Sequence, residues 1–78
     1  MGVNVLLDSV EKIKEFVEIT RAQNYDIDLI SGRSTYLDAK SLLGIMSCDC
    51  KKPLTLVIHA DEEEADDFME SIEKYVVA

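Results

Sequence analysis

Apolar and polar residues alternate along four short stretches of the chain, which is the period of strands with one buried face. The predicted strands lie at residues 3–7, 25–30, 35–37 and 54–59. The second and third are separated by a turn at 31–34, where Gly32 accepts a positive φ without steric cost. These two strands are therefore expected to form a hairpin.

Three other stretches carry apolar residues at the spacing of one helix face, and helices are predicted at 9–22, 38–46 and 61–76. Asp8 and Ser9 precede the first helix and are N-cap residue types, and Asp61 with Glu64 has the spacing of a capping box. The predicted buried stripes are Val10, Ile13, Phe16, Val17 and Thr20 in the first helix and Ala65, Phe68, Met69, Ile72 and Val76 in the third.

The predicted elements follow the order β-α-β-β-α-β-α along a chain of 78 residues. One apolar stripe per helix and one alternating face per strand favour helices stacked on a single face of a sheet. The expected fold class is α+β, an open sandwich of three helices on one face of a four-stranded sheet. A chain of this length is expected to form one domain, spanning 1–78.

Acidic residues outnumber basic residues by 16 to 8, which gives a net charge of −8 at pH 7. DNA, RNA and anionic membranes are bound through Lys and Arg, so none of them is an expected partner. A basic protein partner is compatible with this charge. No apolar run reaches the length of a membrane span, and the N-terminus has no pattern typical of a signal peptide. The expected location is the cytoplasm.

The middle of the chain carries a specific likeness. The stretch Asp38-Ala-Lys-Ser-Leu-Leu-Gly-Ile-Met-Ser47 resembles the regulatory-serine segment of HPr, the phosphocarrier of the sugar phosphotransferase system. Tyr25-Asp-Ile-Asp-Leu29 is similar to the second strand of that family, and the element order is the HPr order. The resemblance covers nearly the whole chain and implies an HPr-like open-faced sandwich with an antiparallel sheet.

The resemblance fails at the residues that carry the family's chemistry. HPr proteins accept phosphate on a histidine just before the first helix, within a Gly-x-His-x-Arg-Pro pattern. Counted back from the Phe16-Val17 pair, the histidine position holds Ser9, and the arginine and proline positions hold Glu11 and Lys12. Carboxylates at Asp8 and Glu11 oppose a phosphate dianion. We therefore expect no catalytic residue and no enzyme activity, and Ser9 is expected to cap the helix.

Ser41 falls on the regulatory serine of the family, which a dedicated kinase phosphorylates in many Gram-positive bacteria. The resemblance implies that Ser41 is a phosphorylation site, and its residue type is equally typical of a helix cap. Leu42, Leu43 and Met46 share one side of the same predicted helix. Ile45 points more nearly the other way, and we expect it to join the core. The resemblance implies that the first three are partly exposed and dock a protein partner. The alternative is that all four are core residues.

Cys48 and Cys50 lie one residue apart in the predicted loop at 47–53, and the family resemblance does not explain them. Two thiolates can bind a soft metal or form a strained disulfide, and Lys51 and Lys52 favour the thiolate form. A structural zinc site requires four ligands, and the sequence adds one distant histidine, His59. No cofactor or metal is therefore predicted, and the two cysteines are weak metal candidates.

The functional hypothesis is an HPr-like protein of the phosphotransferase system that has lost the histidine phosphocarrier activity. It is expected to be a regulatory or protein-binding module that acts through phosphorylation of Ser41. The expected partner is a protein such as a serine kinase or a transcriptional regulator, and no small-molecule substrate is inferred. The alternative is a metal-binding or redox role of the Cys-x-Cys loop.

Overall fold

The computed structural model describes residues 2–78, and within them the chain forms five strands, three α-helices and one 3-10 turn. The strands are β1 (Gly2–Val5), β2 (Ile27–Ser31), β3 (Thr35–Asp38), β4 (Leu54–Ile58) and β5 (Val76–Val77). The helices are α1 (Val10–Arg21), α2 (Leu42–Met46) and α3 (Asp66–Ser71), and the 3-10 turn is Glu73–Tyr75. None of the helices in residues 2–78 combines the length and apolarity that crossing a membrane requires.

The strands form one antiparallel sheet in the order β3-β2-β4-β1-β5. β2 and β3 form the predicted hairpin, and Gly32 in its turn has a φ of 66°. Glycine tolerates this left-handed conformation because it has no Cβ. The predicted α+β class, with helices packed on an open antiparallel sheet, is confirmed.

The C-terminal segment corrects the prediction of four strands and a helix that reaches Val76. α3 ends at Ser71, and after the 3-10 turn Val76–Val77 form β5, which pairs with β1. The Leu6 N–H donates to the Tyr75 carbonyl at 2.9 Å and extends this pairing. β5 therefore satisfies backbone groups of β1 that an edge strand leaves open. As a consequence Val76 is 37% exposed and does not belong to the core.

α2 and α3 begin later than predicted because aspartate side chains stabilise turns in front of them. Asp38 ends β3 and its Oδ1 accepts the Lys40 N–H at 2.9 Å, a local bond that competes with helix formation. α2 consequently begins four residues after the predicted start. Asp61 Oδ1 accepts the Glu64 N–H at 2.8 Å, but this bond closes a separate turn, and α3 begins at Asp66.

The hydrophobic core lies between the helices and one face of the sheet. β4 shows the expected alternation, and its inward-facing residues are Leu54, Leu56 and Ile58. The helices contribute large buried side chains, among them Ile13, Phe16, Val17, Ile45 and Phe68. Val10 was predicted in the buried stripe of α1 but is 45% exposed, because it lies at the first helical position, one turn before the buried face begins.

The C-terminal end of α1 is tied to the segment that precedes α2. The buried Thr20 hydroxyl is 2.8 Å from the Ala39 carbonyl, to which it donates. Arg21 Nε donates to the Lys40 carbonyl at 2.9 Å, and Lys40 Nζ donates to the Gln23 carbonyl at 3.0 Å. These bonds place α2 beside the C-terminal half of α1.

Candidate functional site: the starts of the first two helices

The residues at the start of α1 are those that the resemblance compares with a phosphocarrier site. Ser9 is the N-cap, with φ −148° and ψ 158°, and its Oγ accepts the Lys12 N–H at 3.2 Å. The Lys12 ammonium donates to Asp8 Oδ1 at 2.7 Å. That hydrogen bond is the main reason that the pKa of the Asp8 carboxyl lies below its ordinary value of 3.8. Ser9 therefore acts as a helix cap beside an ion pair.

The histidine of the chain, His59, lies on the side of the sheet away from α1. It follows the end of β4, where Ile58 faces the core and His59 is exposed. Its Nε2 is 2.8 Å from Oδ2 of Asp28, whose two neighbours in β2 are buried. Because the sheet separates the two residues, the imidazole cannot remove a proton from the Ser9 hydroxyl.

The start of α2 repeats the capping bond of α1. Ser41 is the N-cap, with φ −102° and ψ 106°, and its Oγ accepts the Gly44 N–H at 3.2 Å. A Cβ on Gly44 would lie 3.1 Å from Ser41 Oγ, so glycine permits this close contact. The bond satisfies a backbone N–H that has no partner inside the helix. The Ser41 side chain is half-buried and remains partly accessible.

The apolar side chains of α2 are exposed to different degrees. Leu43 is 80% exposed and Met46 is 44% exposed, Leu42 is half-buried, and Ile45 is 2% exposed. The alternative that all four belong to the core is therefore wrong. We refer to Leu42, Leu43 and Met46 as the α2 patch. A contiguous apolar surface of this kind is typical of protein contacts, and a methionine suits it to partners of different shape.

A groove of about 180 Å³ runs between α1 and α2 beside the α2 patch, lined by Lys14, Val17, Glu18, Arg21 and Leu42. Two of these side chains are basic and one is acidic. The sequence predicted Val17 in the buried stripe of α1, and Lys14, Glu18 and Arg21 were given no role. Their spacing of three and four residues places them on one helix face, but only the packing of α1 on α2 shows that this face borders the patch.

The largest concentration of acidic residues lies in a part of the sequence that does not line this groove. Half of the acidic residues, 8 of 16, lie between residues 61 and 73, on α3 and the segments beside it. Basic residues outnumber acidic ones beside the α2 patch, since Lys14 and Arg21 line the groove with the single acid Glu18, and Lys40 precedes Ser41. The surroundings of the patch are therefore less acidic than the net charge of −8 suggests.

The two cysteines follow α2 and are free thiols, both of them half-buried. The Cys48 thiol lies 3.7 Å from the Gly44 carbonyl oxygen, to which it donates a weak hydrogen bond. Burial raises the pKa of the Cys48 thiol above its ordinary value. Within residues 2–78, no three His, Cys, Asp or Glu side chains converge in a way that would hold a metal ion. The loop therefore offers a pair of sulfur atoms without a third ligand.

Comparison with known proteins gives one match. The sequence model of a family described as "PTS HPr component phosphorylation site" matches residues 11–78. No curated protein and no solved structure matches the chain. The matched range contains Ser41, the α2 patch and both cysteines, and it begins two residues after Ser9.

Proposed function

The chain belongs to the PTS HPr family, and from this premise we propose a phosphotransferase-system protein that has lost histidine phosphocarrier activity. In this proposal the protein is a regulatory, protein-binding module of the cytoplasm and not an enzyme. It acts through Ser41 and the α2 patch. We assign it no catalytic residue, no cofactor and no small-molecule substrate.

The observation that carries the proposal is the chemistry at the start of α1. Ser9 occupies the position that the resemblance assigns to the phosphorylated histidine, and its hydroxyl is engaged as a helix cap. A serine hydroxyl is a weak nucleophile unless a base removes its proton. The single histidine of the sequence, His59, is paired with Asp28 on the far side of the sheet. The carboxylates of Asp8 and Glu11 also repel an incoming phosphate.

Partner binding is proposed at the α2 patch because this surface combines exposed apolar side chains with a groove. Moving a leucine side chain from water into a protein contact contributes about 1.5–3 kcal/mol when burial is complete, and Leu43 is 80% exposed. The net charge favoured a partner with basic groups, whereas Lys14 and Arg21 beside the patch favour acidic groups. We therefore infer a partner whose apolar pocket has acidic groups at its rim.

Regulation is proposed at Ser41, which adjoins the α2 patch. Phosphorylation adds a charge of about −1.5 to −2 at neutral pH, and such a charge changes which surfaces can dock. Arg21 supports the assignment because its Nε donates to the carbonyl of Lys40, the residue before Ser41. The guanidinium is thereby held next to the serine. A phosphate there would offset the basic character of the groove and weaken binding of an acidic partner.

Two phosphorylation reactions followed by intact mass test this function. The purified chain is incubated with enzyme I and phosphoenolpyruvate, and separately with an HPr serine kinase and ATP. We expect no phosphate from the first reaction and one phosphate from the second. Ser41→Ala should abolish the second product. Ser47→Ala is the matched control, because Ser47 lies at the other end of α2, exposed, and should leave the product unchanged. An acid-labile phosphate from enzyme I would contradict the loss of carrier activity.

The docking surface is tested with the same kinase as the partner. Met46→Ala and Leu43→Ala should each weaken binding by about 1 kcal/mol or more, roughly fivefold in Kd. Tyr36→Ala is the control, because Tyr36 is 66% exposed and faces away from the core side of β3, where its neighbour Leu37 packs. Equal losses in all three variants would show that the α2 patch is not the contact surface.

A further inference from the structure

The proposed function gives no role to the two cysteine thiols in the loop after α2. Cys48 follows the C-cap of α2, and Cys50 lies in a turn closed by the bond from the Lys52 N–H to the Asp49 carbonyl, at 3.3 Å. Both side chains are half-buried and unpaired in a disulfide. A small reagent can therefore reach both thiols without unfolding of the loop.

The spacing of the two cysteines permits a direct bond. Two peptide steps of about 3.8 Å separate their Cα atoms by no more than about 7.6 Å. Disulfides bridge Cα atoms about 4.4–6.8 Å apart. A ring that spans a single intervening residue is strained, and strained disulfides are the readily reduced kind found in regulatory sites.

We propose that Cys48 and Cys50 are a reversible oxidation site, closed by thiol–disulfide exchange with a small disulfide such as glutathione disulfide. The Cys50 thiolate attacks one sulfur of glutathione disulfide and expels a glutathione thiolate, which leaves a mixed disulfide on Cys50. The Cys48 thiol loses its proton and attacks the Cys50 sulfur, forming the internal disulfide and expelling the second glutathione. The protein gives up two electrons and two protons, and both glutathione molecules leave as thiols.

The order of attack follows from the surroundings of each sulfur. Cys50 is followed by Lys51 and Lys52, and these positive charges attract the carboxylates of glutathione disulfide toward its sulfur. Cys48 donates to the Gly44 carbonyl, and burial raises its pKa, so it stays protonated until the mixed disulfide is beside it. Cys50 is therefore the attacking thiol and Cys48 the resolving one.

Formation of the disulfide between Cys48 and Cys50 affects the α2 patch. Cys48 contacts the last turn of α2 twice, through its thiol to the Gly44 carbonyl and through its N–H to the Ile45 carbonyl at 3.1 Å. The disulfide removes the first contact because the Cys48 sulfur turns toward Cys50. Met46 lies in that turn. Oxidation therefore loosens the end of α2 and weakens partner binding, and this last step rests on the proposed function.

The chemistry is tested without any partner. The full chain is equilibrated in glutathione buffers of increasing oxidised fraction, quenched in acid, alkylated under denaturing conditions and weighed intact. We expect two alkylated cysteines in reduced buffer, and in oxidised buffer none, with no bound glutathione. Cys48→Ser should stop at one glutathione on Cys50, and Cys50→Ser should acquire its adduct more slowly. Two alkylated cysteines in fully oxidised buffer, or a parent that stops at the mixed disulfide, would overturn the proposal.

The structural link has its own measurement. Amide hydrogen exchange at Ser47 and Cys48, whose N–H groups bond to α2 carbonyls, should become about tenfold faster in the oxidised protein. The Cys48→Ser, Cys50→Ser double variant should exchange at one rate in both buffers. Unchanged exchange in the oxidised parent would overturn the coupling to α2. Failure of the reduced protein to bind any partner would count against the proposed function alone, because neither the mass nor the exchange measurement involves one.

Discussion

The starts of α1 and α2 are built from the same backbone chemistry and differ in what surrounds it. In each, a serine in extended conformation accepts the N–H of the third residue after it, at 3.2 Å. Charged side chains flank Ser9, among them Asp8 and Lys12, which pair with each other. Apolar side chains follow Ser41, and the guanidinium of Arg21 is held beside it. The same capping bond therefore does not distinguish the two sites, and their proposed functions differ because of the neighbouring residues.

The two helices also differ in how they are anchored. α1 has 12 residues and buries four of them, Ile13, Phe16, Val17 and Thr20. α2 has 5 residues and buries Ile45. Tertiary packing supplies most of the stability of short helices. α1 is consequently part of the core, whereas α2 contributes one fully buried side chain, packs Leu42 partly against the core and exposes Leu43 and Met46 to solvent.

The largest expected effect tests Ile45, the fully buried side chain of α2. Ile45→Ala should lower the free energy of unfolding by about 2–5 kcal/mol, because it leaves a cavity where Ile45 is 2% exposed. Leu43→Ala, on the same helix but 80% exposed, should change it by less than about 0.5 kcal/mol. Urea unfolding followed by circular dichroism measures both. If Ile45→Ala does not fold, Ile45→Val should still cost about 0.5–1.5 kcal/mol. Similar losses for Ile45→Ala and Leu43→Ala would contradict the description of α2.

The second prediction concerns an anchor that only α1 has. The Tyr75 hydroxyl donates to Glu15 Oε1 at 2.9 Å, and burial, with this bond, raises the pKa of Tyr75 from 10.0 to about 12. A raised pKa means that the folded protein keeps its proton longer than the unfolded chain. The stability that protonated Tyr75 contributes is therefore fully present below pH 10, and it is lost as the pH rises toward about 12. It amounts to roughly 2–3 kcal/mol.

Unfolding experiments between pH 9 and pH 12 measure this loss, with Tyr75→Phe as the variant. The phenylalanine variant should be less stable at neutral pH and should show a shallower decline in alkali. Tyr36→Phe is the control, because Tyr36 is 66% exposed and should reproduce the decline of the parent. A parent whose stability is constant over this range would contradict the burial of Tyr75 together with its bond to Glu15.

The third prediction compares the two caps directly. Ser9→Ala and Ser41→Ala should each lower stability by about 1 kcal/mol, because each removes the acceptor of one backbone N–H. Aspartate should separate the two positions. The free energy of unfolding of Ser41→Asp should lie within about 0.5 kcal/mol of that of the parent. Ser9→Asp should be less stable than Ser41→Asp, because Glu11 repels the new carboxylate and Lys12 is already paired with Asp8. Urea unfolding at low and high salt measures this, and equal stability of the two aspartate variants would contradict it.

Local pattern predicted much of this fold and little of the groove. Alternation located β2 and β4, and the capping residue located the start of α1, because both signals depend on residues that are close in sequence. Val76 follows the helical spacing of Ile72, yet it pairs with β1, and no local pattern reports on a strand at the other end of the chain. The basic lining of the groove was missed for the same reason. By its spacing Lys14 lies on the polar face of α1, and only the packing of α2 beside α1 shows that Lys14 and Arg21 line a groove.

The smallest expected effect is at the ion pair that accompanies Ser9. The hydrogen bond from Lys12 lowers the pKa of Asp8 below 3.8, and the charge of Lys12 acts in the same direction. A lowered pKa means that the folded protein releases the proton more readily than the unfolded chain. The stability that the ion pair contributes is therefore fully present above the ordinary pKa of 3.8, and it is lost as the pH falls through the lowered pKa of Asp8. Both groups are exposed, so it is sensitive to salt.

An NMR titration of the Asp8 carboxyl carbon measures this pair directly. In the parent the midpoint should lie below 3.8, and in Lys12→Met it should return toward that value. Lys14→Met is the matched control, since Lys14 lies on the same helix but lines the groove beside α2. High salt should reduce the difference between parent and Lys12→Met. A lower midpoint in the parent than in Lys12→Met would show that Asp8 neutralises the Lys12 ammonium beside Ser9. Lys12 is then not free to attract a phosphate to the start of α1. An equal midpoint in parent and Lys12→Met would leave Lys12 free and weaken the contrast with Ser41.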